Sequence, residues 1–386
     1  MRGRCFASRL TLKSDTTAGL HKRAAIDLVP ANWYFLHGMF AAGTQTSPLR
    51  EAPPSRESIA GWPEIAQSVA PFLDQVQQQL AGQVEAFDPE IAPYAKYALA
   101  NHGKQLRAAL TGLAANCVGG WNDSAAKAAV IIEMVHLATL LHDDIMDGAE
   151  LRRSRPTLAN KWDNTTAVLV GDCLFANALR LAAEFPTTDV CRAVSTATRT
   201  VCSGEILQNN HQGNLALGQA EYFKMLRMKT GELVALACEL GGSLAGDDQQ
   251  ESRALREYGM ALGTAYQVYD DCLDLFGSEA EVGKSLGTDI ASGKATLPVI
   301  LLCEQAGHEI ATQLGQMIGR WDADQLNILR GWLSEFNTLE QSQYRLESCL
   351  AEAREALGKV GDSTHRDALE ELTHFLAQQS VELGVS

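Results

Sequence analysis

Aromatic residues make up only 6% of this 386-residue sequence, and no run of 18 uninterrupted apolar residues occurs in it. A membrane-spanning helix is therefore not expected. Cations are also short: 32 lysines and arginines stand against 47 aspartates and glutamates, a formal net charge of −15. Neutralising a phosphate backbone takes clustered Lys and Arg, so no nucleic-acid partner is expected. The nine cysteines stand singly, with no C-x-x-C pair. That argues against a disulfide framework or a zinc site and for packed thiols in a reducing compartment. Alternating apolar–polar runs are scarce, which removes β architectures. Proline is scarce after residue 93, with eight of the eleven at or before it.

What is present divides the chain in two. Residues 1–50 carry seven basic and two acidic residues, +5 in a chain of −15. Thr44–Pro63 is rich in Ser, Thr and Pro and reads as a linker. Residues 1–62 are therefore expected to be a poorly ordered or processed extension. A basic, acid-poor N-terminus fits a transit peptide, which would make the protein organellar; an upstream start, with Met39 as one candidate true start, leaves it cytoplasmic. The cytoplasmic reading is preferred. Residues 63–386 are expected to form a single all-α domain. Apolar residues recur at three and four over Ala126–Leu141, Ala167–Ala183, Val190–Leu207, Tyr222–Leu244 and Leu255–Leu275, the period of a buried helix face.

One short motif occurs twice. His142-Asp143-Asp144-Ile145-Met146-Asp147 and Tyr269-Asp270-Asp271-Cys272-Leu273-Asp274 each follow a long apolar run. The outer aspartates lie at i and i+4, so two or three carboxylates share one helical face. Like charges at that spacing repel, and an all-oxygen cluster suits a hard cation, Mg²⁺ above all. A lone D-D-x-x-D is most simply a solvated acidic helix end. Two copies point to a metal-bridged diphosphate held between them. Basic residues supply the other half: Gly103-Lys104-Gln105-Leu106-Arg107, Arg152-Arg153, Lys229-Thr230-Gly231, and Lys284 and Lys294 flanking Asp289. Any one of them is most simply a surface charge. In so acidic a chain, set beside the aspartates, they look like anion contacts.

The order of these motifs resembles the trans-isoprenyl diphosphate synthases, the polyprenyl synthetase family, over about residues 70–386. The matching runs are Gly103-Lys104-x-x-Arg107, Glu133–Asp147, Leu151-Arg152-Arg153 with Pro156-Thr157, Val170-Gly171-Asp172, Gly204-Glu205 with Gln208, Lys229-Thr230-Gly231, Gln267–Asp274, and Gly283-Lys284 through Pro298. The resemblance is closest to the long-chain synthases. It implies an isoprenoid-synthase-type bundle around a deep central cavity, usually a homodimer. It implies a prenyltransferase that joins isopentenyl diphosphate to an allylic prenyl diphosphate. Asp143, Asp147 and Asp270 would ligate three Mg²⁺ ions, with Asp144, Asp271 and Asp274 as further ligands or as groups behind them. Arg152, Lys229, Lys284 and Lys294 would hold the allylic diphosphate. Lys104, Arg107, His136 and Arg153, beside Gly103, would hold isopentenyl diphosphate. Thr230 and Gln267 would line the reacting end. His142 would orient the adjacent carboxylates, and Cys272 would be a core thiol, since thiolate does not suit Mg²⁺.

The sequence departs from the family at Ala108, where proline is usual, and at Gln105, where a basic residue is common. In the family, the residues four and five before the first motif floor the cavity. Here they are Thr139 and Ala138, with Val135 a turn deeper, and none carries a ring. Products of C20 or longer are therefore expected, such as quinone side chains, unless Tyr222, Phe223 or Met225 closes the shaft. Long apolar products imply loose membrane association for release. The alternatives are a short-chain synthase, a class I terpene cyclase, a non-catalytic subunit of a heteromeric synthase and a helical scaffold. The doubled motif and the Lys104/Arg107/His136 cluster argue against the cyclase, and both intact motifs argue against the silent subunit.

Overall fold

Runs of Ala, Leu and Val at helical spacing give long helices with broad apolar faces, and the chain buries them against one another. The computed structural model describes residues 61–100, 103, 105–153, 155–278, 286–318 and 321–384. Lys104, Lys284 and all but the last two residues of the expected N-terminal extension lie outside the described residues. The order is α1 (Trp62–Gln67), α2 (Ala70–Gly82), α3 (Ala92–Leu99), α4 (Leu106–Val118) and α5 (Asp123–Met146). A two-stranded hairpin follows, β1 (Leu151–Arg152) and β2 (Arg155–Pro156), then α6 (Leu158–Lys161), α7 (Asn164–Ala183) and α8 (Asp189–Asn210). Next come α9 (Gln219–Leu226), a π-turn at Arg227–Gly231, α10 (Glu232–Ala245) and α11 (Gln249–Phe276). The remaining helices span Thr288–Ala291, Leu297–Ile318, Ala323–Glu335, Thr338–Leu357 and Thr364–Glu382.

The expected all-α bundle is what the chain forms. α5 lies at its centre, packed on α7, α4 and α10, and α10 packs on α11. Asn122 starts α5 by accepting from the Ala125 amide at 3.0 Å, which satisfies one of the unpaired N–H groups of the first turn. Trp62 had been assigned to the extension, but it opens α1 with 6% exposure and belongs to the core.

One expectation is refined and one corrected. The segment Tyr222–Leu244 stays helical as its pattern predicts, with a π-turn inside it that carries Lys229 and Thr230. Such turns add a residue to the helical ladder and re-aim side chains, often at functional sites. Second, α5 and α7 are long and apolar enough, by length and composition, to cross a membrane. The criterion of an uninterrupted run missed them because polar residues such as Glu133 and His136 break the run. In the bundle 72% of the most apolar stretch of α5 and 44% of that of α7 are buried inside the protein.

Candidate active site

Both aspartate motifs sit in the last turns of their helices, α5 and α11. Helix C-termini carry partial negative charge and repel carboxylates, and no basic residue occupies either last turn. The strain is relieved only by cations brought from elsewhere. Both helix ends open on one cavity of about 730 Å³, lined by Asp143, Asp147, Asp270, Asp271 and Asp289 together with Arg152, Lys229 and Lys294.

The first motif sends its outer pair into the cavity. Burial, with Glu205 and Asp147 nearby, pushes the Asp143 carboxyl up to about 6 against the pull of Lys229 and Arg152. Asp147 meets Lys294 Nζ at 3.1 Å. Burial would lower the Lys294 ammonium, but Asp147 and Asp289 outweigh it and raise it. Asp144 is not among the lining residues; it is 4% exposed and accepts from Arg152 Nε at 2.6 Å.

The second motif is arranged differently. Asp270 and Asp271 line the cavity and Asp274 does not. Asp271 accepts from the Tyr222 hydroxyl at 2.6 Å and from Gln267 Nε2 at 3.0 Å. Burial and then the Asp289 charge raise its carboxyl well above the ordinary range. Asp274, expected as a metal ligand, is 2% exposed and turned inward, where it accepts from the Thr288 hydroxyl at 2.9 Å and the Asp289 amide at 3.1 Å. Its oxygens serve the backbone of the next segment instead of facing the cavity.

The π-turn delivers the basic and polar side chains between the motifs. Lys229 Nζ donates to Gln208 at 2.7 Å and pairs with Glu205 at 2.6 Å, both on α8. Thr230 donates to Gln267 Oε1 at 2.8 Å, so Thr230, Gln267, Asp271 and Tyr222 form one hydrogen-bonded chain. The close approach of α8 needs Gly204, where a Cβ would come within 2.8 Å of the Lys229 amide nitrogen.

A basic cluster in the same cavity holds Arg107, Arg153 and His136, together with Gly103 and Gln105. Two non-glycine residues here take left-handed backbone, Gln105 and Arg153, each with φ of 52°. That conformation is uncommon and is tolerated where the surroundings fix it. Gly103 lies where the Arg153 guanidinium passes, so any Cβ there would overlap it. Burial lowers the Arg107 guanidinium, against the nearby Glu133 charge. Among the described residues, its Nε and the Gln105 Nε2 are buried without a hydrogen-bond partner. Burial, and then Arg107, Arg153 and Arg152, lower the His136 imidazole well below 6.5, so it is neutral at pH 7. Buried donors without acceptors, crowded by guanidiniums, are what an oxyanion would satisfy.

The expected floor is mostly elsewhere. Thr139 lines the cavity and donates to the His136 carbonyl at 2.8 Å. Val135 and Ala138, at 1% and 0% exposure, are absent from the lining and pack into the core. Phe175 of α7 and Val201 of α8 also line the cavity, the Phe175 ring 5.7 Å from the His142 ring. Tyr222 and Met225 line it too, and Phe223 does not. Sequence reasoning also missed Glu133 as a brace: it is 2% exposed and accepts from the Ala108 amide at 3.1 Å, fixing the start of α4 behind Arg107. The signal was there, a lone acid inside Ala128–Leu137.

The residues present fit divalent cations. Among the described residues, no three His, Cys, Asp or Glu side chains close on a single point. Separated carboxylate pairs around an open cavity suit Mg²⁺, which keeps waters and takes phosphate oxygens as ligands. A helical bundle whose one cavity is lined by paired carboxylates and by buried guanidiniums suits substrates bearing diphosphates. The chain belongs to the polyprenyl synthetase family, whose model matches residues 88–330. It is a prenyltransferase of the trans-prenyl diphosphate synthase class. It is 32% identical to the octaprenyl diphosphate synthase of Escherichia coli over 320 residues, 81% of this chain and 96% of that one. It is 33% identical to the geranylgeranyl pyrophosphate synthase of Geoglobus acetivorans over 307 residues, 77% and 95% of the two chains. The solved polyprenyl synthase of Caulobacter crescentus, complexed with calcium and isoprenyl diphosphate, superposes with a TM-score of 0.77 at 34% identity. That match covers 83% of this chain and 99% of that one.

Proposed function

We propose that this enzyme condenses isopentenyl diphosphate with an allylic prenyl diphosphate, head to tail, in an Mg²⁺-dependent reaction that releases diphosphate and gives an all-trans product of C20 or longer. The observation that carries the reading is that one cavity is lined by two anion-binding groups, the carboxylates Asp143, Asp147, Asp270 and Asp271 with Lys229 and Lys294, and the cluster of Arg107, Arg153 and His136. An enzyme that only ionises one prenyl diphosphate needs one such site. Mg²⁺ held by Asp143, Asp147 and Asp270 would draw charge onto the leaving diphosphate and so ease cleavage of the allylic C–O bond.

The chain's own residues do the rest. Arg152, Lys229 and Lys294 hold the allylic diphosphate, with Lys284 assigned there from sequence. Arg107, Arg153 and neutral His136 grip the second diphosphate, with Lys104 assigned there likewise. That places the double bond of isopentenyl diphosphate against the allylic carbon, and positioning of two bound reactants is the main contribution of such a site. Thr230 and Gln267 fix the reacting end, and Asp144 and Asp271 brace it. The apolar cavity wall excludes water from the allylic cation. The proton lost after bond formation passes to the departing diphosphate.

Similarity to octaprenyl and geranylgeranyl synthases is equal within a percentage point, so it supports no length by itself. The long-chain reading is supported by the ring-free Thr139; Phe175, Tyr222 and Met225, which also line the cavity, oppose it. Leu169 and Leu179 of α7, outside the cavity lining, are 57% and 38% exposed, and this apolar surface supports the homodimer reading.

The test is to incubate the purified chain with Mg²⁺, labelled isopentenyl diphosphate and, separately, C5, C10, C15 and C20 primers, and to size the dephosphorylated products. A ladder ending at one length and lost in EDTA is expected. Cyclic hydrocarbon made without isopentenyl diphosphate would defeat the proposal.

A further inference from the structure

We propose that Asp274, the last carboxylate of the second motif, is a positioning residue that pins the segment Gly287–Thr296 to α11 and so sets where Asp289 and Lys294 enter the active site. The inference rests on the function proposed above for that site, and its geometry stands apart from it.

Asp274 Oδ1 accepts from the Thr288 amide at 3.2 Å and from the Thr288 hydroxyl at 2.9 Å. Its Oδ2 accepts from the Asp289 amide at 3.1 Å. The Asp274 carbonyl takes the Gly287 amide at 2.8 Å. Two consecutive amides and a hydroxyl thus converge on one buried carboxylate, and charge-assisted bonds of this kind are the stronger class. The segment then closes on itself, the Lys294 amide donating to the Asp289 carbonyl at 2.8 Å. It is held on its far side where the Gly213 amide donates to the Gly293 carbonyl at 2.7 Å. At its end Lys294 reaches the first motif, with Nζ 3.1 Å from Asp147. Asp289 and Lys294 line the cavity and Asp274 does not. The link therefore runs from one aspartate motif, through a pinned turn, to the other.

Both oxygens matter. An asparagine keeps one acceptor and turns an NH₂ toward an amide N–H, so one end of the clamp is lost. A metal ligand would need an oxygen facing the cavity, and the two readings diverge in what Asp274→Asn changes. With the full chain and Mg²⁺, the tether predicts a KM for the allylic diphosphate raised roughly tenfold, about the loss of one charge-assisted hydrogen bond. The Mg²⁺ concentration for half activation should stay within about threefold of wild type, since no ligand is removed. Thr288→Ala, outside the substrate and metal contacts, should raise the same KM severalfold, and the double variant should fall short of additivity because the two share one interaction. Hydrogen exchange of the Thr288 and Asp289 amides should quicken in both variants.

A tenfold rise in half-activating Mg²⁺ in Asp274→Asn, with Thr288→Ala silent in KM and exchange, overturns the tether and makes Asp274 a ligand. If Asp274→Asn does not fold, Thr288→Ala decides alone, and an unchanged KM and exchange rate in it sinks the proposal. Should the wild-type chain fail to elongate any primer, the proposed function falls, while the exchange arm still judges the tether.

Discussion

The two aspartate motifs have the same spacing and different geometry. In the first, the i and i+4 carboxylates, Asp143 and Asp147, face the cavity, and the middle one is held by Arg152. In the second, the adjacent pair Asp270 and Asp271 faces the cavity, and the i+4 carboxylate turns into the protein. Helix ends explain the difference. α5 stops at Met146, so Asp147 is its C-cap, and Gly148 at φ of 60° turns the chain back through the β1–β2 hairpin that brings Arg152 to Asp144. α11 runs on to Phe276, two residues past Asp274, which keeps that side chain on a helical face against Thr288. Spacing tells which carboxylates share a face. What packs behind the helix, and where it ends, tells which face meets the substrate.

The largest effect should come from breaking the part the motifs share. Asp143→Ala and Asp270→Ala each remove a cavity-facing carboxylate expected to bind metal, and kcat/KM should fall at least about a thousandfold, on the order of 4 kcal/mol of transition-state stabilisation. Asp274→Asn should cost far less. Steady-state rates at saturating Mg²⁺ compare them, and equal losses at all three positions would erase the distinction between the motifs.

A smaller effect should come from the brace of the second motif alone. Tyr222→Phe deletes the hydroxyl that donates to Asp271 at 2.6 Å and leaves that buried oxygen short of a donor. A cost of about 1–3 kcal/mol in stability is expected, with kcat lowered roughly tenfold as Asp271 and Gln267 shift. Urea unfolding and single-turnover rates report the two parts. A variant with wild-type values in both would mean the hydroxyl does not hold Asp271.

Much of this was legible in the sequence, for stated physical reasons. The helices at α5, α7, α8 and α11 follow from three- and four-residue apolar spacing. The doubled motif, with charges that repel unless a cation is present, pointed to the two helix ends that open on one cavity. Three features did not show. The π-turn at Arg227–Gly231 was hidden because its residues keep an unbroken helical pattern while the ladder gains one residue. The inward turn of Asp274 depends on Thr288 and Asp289, fourteen and fifteen residues on. The withdrawal of Val135 and Ala138 from the cavity depends on how α5 is rotated against its neighbours, which a periodicity leaves open.

That rotation extends the comparison from the motifs to the shaft beside them. Of the three residues expected to form the floor only Thr139 lines the cavity, so Phe175 of α7, a ring that lines it beside His142, is the side chain to test. Phe175→Ala empties space worth several methylenes, so the product should lengthen by about one or two five-carbon units, while Ala138→Phe should mainly damage packing. Product sizing on both variants decides, and a shortened product from a well-folded Ala138→Phe would return the floor to α5.

The smallest effect contrasts an acidic and a basic group of the cavity in metal-free protein, Asp143 and His136, whose proton affinities are shifted in opposite directions. Asp143 is raised to about 6 from an ordinary 3.8, so the native state binds a proton more readily than the unfolded chain between those values. Its carboxylate therefore costs stability above pH 6, and the cost is relieved as the pH falls. His136 is lowered well below 6.5, so the unfolded chain binds its proton first. Its contribution is present above pH 6.5 and is lost as the pH falls toward its depressed native value. In EDTA at pH 8, Asp143→Asn should stabilise the protein by about 1–2 kcal/mol, an order-of-magnitude figure for a partly buried carboxylate. His136→Gln should instead flatten the acid side of the curve, between pH 6.5 and 5. Thermal melts of the three proteins across pH 5–8 would show the opposed slopes. Parallel slopes would mean that burial does not shift Asp143 and His136 in opposite directions in the empty enzyme.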